Sequence, residues 1–220
     1  MKKIFTCILA LVLGVSSVMA EKPYKHSVGA YFGGLTGFTY KKYVREHFAV
    51  TIDLAAGLTV SPASVVFVGP DNASGIMQAG YTNNTGALGM WDATFAPNFL
   101  GTGHISPNWS MYGGGGFNGG VLGFISQTYD GTYYGPKDLQ CPFNETIYGK
   151  LGLNLVWGVE YKVPNKPVAI GIEARPGMGI AFHAPTINVT YQNQTYEGCS
   201  MLATYFDWKV ALAVRYCWGN

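Results

Sequence analysis

Apolar and polar side chains alternate along several long stretches of the chain, most clearly near its C-terminus. From Phe206 to Trp218, every second residue is large and apolar, while the residues between are charged, small or a cysteine. Successive side chains of a β-strand point to opposite faces, so this period of two predicts a strand with one apolar face. The stretches 149–162, 168–175 and 48–55 repeat the pattern.

Connections of two lengths separate the predicted strands. Those at 45–47, 100–107 and 163–166 are short, whereas those at 59–86, 125–148 and 182–203 are long and polar. Short turns at one end and long loops at the other are typical of up-and-down barrels in outer membranes. The predicted strands are 27–33, 37–44, 47–58, 88–99, 108–124, 149–162, 167–181 and 204–218.

These strands predict an all-β fold, an eight-stranded antiparallel up-and-down transmembrane β-barrel. The predicted hairpin at the N-terminus turns at 33–36, although 27–44 could also form one strand. Several strands reach the length of about 9–11 residues that crosses a tilted bilayer. A soluble barrel would place the aliphatic face inside and the polar face in water. The polar face here is rich in Gly and Ala, which favours a crowded lumen over a water-facing surface.

Composition and the N-terminus indicate an exported, membrane-associated protein. The chain has 220 residues, of which 48% are hydrophobic and only 12% charged, about half the usual charged fraction. Residues 1–20 combine Lys2 and Lys3 with a short apolar stretch and small residues up to Ala20, which predicts a cleaved signal peptide. Residues 21–220 then form a single barrel domain in the outer membrane. The chain has no basic run or stripe of the kind that nucleic-acid-binding proteins carry, so we do not expect it to bind nucleic acid.

Charged residues on the polar faces of these strands are predicted to form ion pairs inside the barrel. Buried charges persist when they are paired, and the two signs nearly balance in this set. We therefore expect a filled lumen and a monomer; a narrow channel is the alternative. The predicted network is Asp53, Lys150, Glu160, Lys162, Glu173, Arg175, Asp207, Lys209 and Arg215.

Parts of the chain resemble the outer-membrane-protein β-barrel domain family of small Gram-negative barrels of the OmpA/OmpX-like type. The resembling segments are 28–47, 109–123, 149–162 and 172–176. The resemblance implies contact with outer-membrane lipid and insertion by the barrel assembly machinery, which reads an aromatic last strand. Tyr216 and Trp218 fit that requirement, although Gly219 and Asn220 follow them.

The long loops carry the remaining candidate chemistry. Cys141 and Cys199 both fall in long loops, where an exported setting permits a disulfide. The histidines show no metal-ligand spacing, and no cofactor motif is present. Tyrosine offers rigid amphipathic contact area, so an unidentified extracellular ligand could meet the loop tyrosines Tyr129, Tyr133, Tyr134, Tyr191 and Tyr196.

We therefore predict a structural or surface-interaction role, similar to adhesion, and no enzymatic activity. Three alternatives remain open at this point: a narrow channel, an outer-membrane enzyme and a soluble exported ligand-binding barrel. The enzyme alternative would combine His183 with Ser200 or Asp130 near the rim.

Overall fold

Twelve β-strands make up the computed structural model, which describes residues 24–61, 63–68, 79–82, 88–126, 132–134, 147–183, 187–191 and 194–219. The signal-peptide prediction lies outside these residues. The described residues contain no apolar helix of membrane-spanning length. The strands are β1 His26–Gly33, β2 Leu35–Arg45, β3 Phe48–Ser61, β4 Ala63–Val68, β5 Ala79–Thr82, β6 Leu88–His104, β7 Trp109–Ser126, β8 Thr132–Tyr134, β9 Tyr148–Lys162, β10 Val168–Phe182, β11 Ile187–Tyr191 and β12 Gln194–Trp218.

Eight of these strands close into a ring in the order β1, β2, β3, β6, β7, β9, β10 and β12. All pairings in the ring are antiparallel, and β1 pairs with β12 from His26 opposite Trp218 to Gly33 opposite Ala211. This confirms the predicted fold class and the first hairpin. We call the end that carries turns 46–47, 105–108 and 163–167 the short-turn end, and the opposite end the long-loop end.

The hairpin between β1 and β2 is much shorter than the other connections at the long-loop end. Only Gly34 separates the two strands, and Gly33 adopts a φ of 118° that favours glycine. Because β12 runs beyond this hairpin, its edge there needs another partner. β4, which follows β3 after one residue, pairs with β12 from Ser200 to Tyr205. Beyond the hairpin, toward the long-loop end, β4 therefore takes the place of β1 as the partner of β12.

The polarity of the barrel is the reverse of that of a soluble protein. Aliphatic and aromatic side chains point outward, with Phe38 70%, Leu54 62% and Ile172 62% exposed. The inward side carries tyrosines such as Tyr31 and Tyr43 and ten charged side chains, all of which are buried. The alternative in which the aliphatic face forms a core is therefore wrong, because that face lies on the outside.

Candidate functional site

The lumen contains two separate clusters of ion pairs. The lower cluster, nearer the short-turn end, consists of Lys41, Asp53, Glu160, Glu173, Arg175 and Arg215. The upper cluster consists of Asp92, Lys150, Asp207 and Lys209. Each cluster contains as many acidic as basic side chains, so the formal charge of each is zero.

Two arginines hold the lower cluster together. Arg215 lies 2.8 Å from Glu160 and also binds Glu173. Arg175 lies 2.6 Å from Glu173 and 2.9 Å from Asp53. Each guanidinium therefore bridges two carboxylates on different strands, a use that suits its planar array of donors.

Tyrosine hydroxyls supply further donors to the lower cluster. Tyr112 donates to Glu173 at 2.6 Å, and Tyr31 donates to Asp53 at 3.0 Å. Tyr24, which precedes β1, donates to Glu160. Burial and the adjacent Glu160 carboxylate raise the pKa of Tyr24 well above its ordinary value, so its hydroxyl keeps the proton that it donates.

Three tyrosine rings surround the ammonium group of Lys41. Its Nζ lies 4.0 Å from the ring centroid of Tyr112, 5.0 Å from that of Tyr43 and 5.8 Å from that of Tyr24. The same atom is 3.4 Å from Glu160. Cation–π attraction and the ion pair together stabilise this buried charge, and the rings fill the lumen at the short-turn end.

The upper cluster alternates two carboxylates with two ammonium groups. Lys209 lies 2.6 Å from Asp92 and 2.8 Å from Asp207. Lys150 binds Asp92 and lies 3.8 Å from Asp207. A cavity of about 40 Å³ separates this cluster from the lower one, which is room for about three water molecules.

The structure brings together eight of the nine residues predicted for the lumen. Lys162 instead sits half-buried at the short-turn end of β9. Sequence reasoning missed Lys41 and Asp92, which both lie in the clusters. Thr39 and Tyr43 of β2 point inward, and Lys41 lies between them at the same period of two, so this alternation would have identified Lys41 as a lumen residue.

Other predicted sites fall partly outside the described residues. Cys141, Asp130 and Tyr129 lie outside them, as do the side chains of Cys199, Ser200, Tyr133, Tyr134, Tyr191 and Tyr196. The Nδ1 of His183 lies 3.1 Å from the carbonyl oxygen of Ile147. Cys217 has a free, buried thiol. Across the described ranges, no group of three His, Cys, Asp or Glu side chains could hold a metal ion.

Tyr216 and Trp218 lie on the outer surface at the short-turn end. They are 55% and 42% exposed, and their ring centroids are 6.1 Å apart. Trp218 also stacks on His26 of the neighbouring strand, with centroids 5.6 Å apart. The last strand therefore presents aromatic rings outward beside the seam where β1 meets β12.

Comparison with known proteins gives little beyond this description. No family model matches the chain, and no characterised protein matches it in sequence. Among solved structures, it is similar to the outer membrane protein OprG from Pseudomonas aeruginosa. That likeness has a TM-score of 0.49 at 10% identity and covers 93% of this chain and 100% of the other. The resemblance to the outer-membrane-protein β-barrel domain family stays a prediction.

Proposed function

We propose that the chain is an integral outer-membrane protein, a closed monomeric barrel that holds its long-loop segments at the cell surface. The reversed polarity of the wall carries this proposal. Removing a large apolar side chain from water contributes about 1.5–3 kcal/mol of stabilising free energy. The apolar side chains on the outer wall gain this free energy in lipid and not in water. All eight ring strands are paired on both edges, so the ring itself needs no partner chain.

A non-conducting lumen is part of the same proposal. Ten buried charges bridge the lumen in two neutral clusters, and the rings of Tyr24, Tyr43 and Tyr112 fill its short-turn end. Ions would have to separate these pairs, which is costly in a low-dielectric interior. The surface role is supported by the upper part of β12, residues 194–205 toward the long-loop end, which pairs with β4 and β11 and extends the sheet beyond the ring.

Fractionation of cells that express the full chain tests the membrane assignment. We expect the protein in the outer-membrane fraction, with a gel mobility in SDS that changes on boiling. A water-soluble folded product would contradict the proposal. Labelling intact cells with a membrane-impermeant reagent should modify the long-loop segments and leave the short turns unmodified, and the reverse pattern would contradict the surface role.

A narrow channel is the second candidate, and the cavity between the two clusters favours it. Planar-bilayer recordings of the refolded protein distinguish the two functions. We expect no unitary conductance from the wild type. Reproducible single-channel conductance steps would contradict the closed-barrel proposal and support the channel. The absence of enzymatic activity, insertion by the assembly machinery and an extracellular ligand stay predictions.

A further inference from the structure

Four exposed basic side chains, which we call the basic rim, lie at the short-turn end, on the part of the ring from β9 through β10, β12 and β1 to β2. Lys25, Lys42, Arg45 and Lys166 are all exposed there, and none forms an ion pair with a carboxylate in the described part of the chain. Glu46 is the one exposed acidic residue at this end among the described residues, and its contact is with His47, at 3.9 Å. This basic rim therefore carries uncompensated positive charge.

Strand register places part of the basic rim on the outward face, beside aromatic rings. Lys42 of β2 lies opposite His26 of β1, and His26 lies opposite Trp218 of β12. The next outward residue on β2, Tyr40, has its hydroxyl 2.8 Å from the Nδ1 of His26. Lys42 thus projects from the same face as Trp218, at the end of the apolar belt.

The connections between ring strands differ in charge along the sequence. The segments between ring strands at the long-loop end, together with the upper part of β12, contain five acidic residues and one basic residue in sequence: Asp71, Asp130, Lys137, Asp138, Glu145 and Glu197. The lumen clusters are neutral. Among the described residues, every basic residue outside these clusters lies at the short-turn end.

We propose that the basic rim binds the headgroups of anionic phospholipids in the membrane leaflet that faces the short turns. This inference rests on the proposed membrane function. Tryptophan and tyrosine rings lie at the level of lipid headgroups, so Trp218 and Tyr216 set the depth at which Lys42 meets that layer. Basic residues beside a membrane surface attract anionic lipids, and here no described carboxylate other than Glu46 competes for them.

Brominated lipids test the proposal, because bromine quenches nearby tryptophan fluorescence. The refolded full-length barrel is placed in phosphatidylcholine vesicles that contain either brominated phosphatidylglycerol or brominated phosphatidylcholine. We expect the wild type to prefer phosphatidylglycerol by about fivefold or more, and added salt to weaken the preference. The variant K42Q/R45Q/K166Q should lose most of it, whereas the matched control K42R/R45K/K166R should retain it.

The outcomes separate the two proposals. A heat-modifiable barrel with equal quenching by both lipids, or a triple glutamine variant that keeps the wild-type preference, overturns the lipid site alone. Competition by soluble glycerol phosphate at equal phosphate concentration would show that the rim binds free phosphate, which also overturns it. A chain that folds without entering vesicles, and so shows no quenching by either lipid, overturns the membrane function together with the site.

Discussion

Arg215 occupies the most demanding position in the lower cluster. The residue is 1% exposed and forms ion pairs with both Glu160 and Glu173. Removing one partner of a buried ion pair costs about 3–5 kcal/mol, because the other charge stays buried without compensation. We expect R215Q to lower the free energy of unfolding by that amount in urea titrations followed by gel mobility. The exposed control K166Q should change it by less than about 0.5 kcal/mol.

Tyr112 has two roles that a single substitution separates. Its hydroxyl donates to Glu173 at 2.6 Å, while its ring faces the ammonium group of Lys41. Y112F removes the hydrogen bond and keeps the ring, so we expect a loss of about 1–3 kcal/mol of stability. The control Y216F alters an exposed hydroxyl and should have little effect. Equal stabilities of Y112F and wild type would contradict the hydrogen-bond assignment.

Residue-level prediction from the sequence succeeded where alternation fixed the phase of a strand. Asp207 and Lys209 sit between large apolar residues, so their inward orientation follows directly from the pattern. Lys41 is adjacent to Lys42, so the two lysines alone do not show which of them points inward, and the orientation of Thr39 and Tyr43 on the same strand is needed. Asp92 lies in a strand with weak alternation. The pairings themselves, such as Arg175 with Asp53, join residues far apart in sequence, and no local pattern contains them.

At the scale of elements, the ring strands were predictable and the loop strands were not. A period of two with one apolar face predicts most of the ring strands, whereas the hairpin at Gly34 was predicted with a single strand over 27–44 as the alternative. β5, β8 and β11 lie in polar segments, and β4 is a short apolar run, ASVVFV, without the period of two that marks the ring strands. Their strand structure comes from pairing with one another and with the long upper part of β12, which local sequence does not encode.

The glycines of β7 allow β6 to approach it closely. A Cβ added to Gly116 would lie 2.8 Å from the Cα of Asn98 and 2.6 Å from its Oδ1, which is too close for an undistorted strand pair. We expect G116A to reduce the yield of heat-modifiable barrel. At Gly101, on the neighbouring strand, the nearest atom would be 3.6 Å away, so G101A is the matched control. Equal yields for the two variants would contradict this packing argument.

At the scale of the whole molecule, ring closure depends on the seam between β1 and β12. Ser27 lies directly opposite Cys217, and both side chains are buried in the lumen. The Ser27 hydroxyl has no hydrogen-bond partner among the described residues, so replacing it with sulfur removes no interaction. Directly opposite residues in antiparallel strands have Cβ atoms about 4.5–5.5 Å apart, which is close to the separation that a disulfide needs.

We therefore expect S27C, in a C141S/C199S background, to form a disulfide with Cys217 on oxidation. Closing so long a chain segment should raise the free energy of unfolding by about 5 kcal/mol in the chain-entropy model. After boiling without reductant, the cross-linked chain should migrate differently from the reduced one. The variant that also carries C217S should show neither effect, and an uncross-linked S27C would place the seam in another register.

The same seam determines the order of events when the barrel forms. Its two strands are the first and the last of the ring along the chain, so the closing contacts are also the most distant in sequence. Loop-closure entropy opposes such contacts until the intervening strands have paired. Until β12 is present, every intermediate is an open sheet with two unpaired edges. Premature termination anywhere before β12 would thus yield an unclosed sheet that is prone to aggregate through its unpaired strand edges. Pairing of the final strand with β1 removes both of these edges.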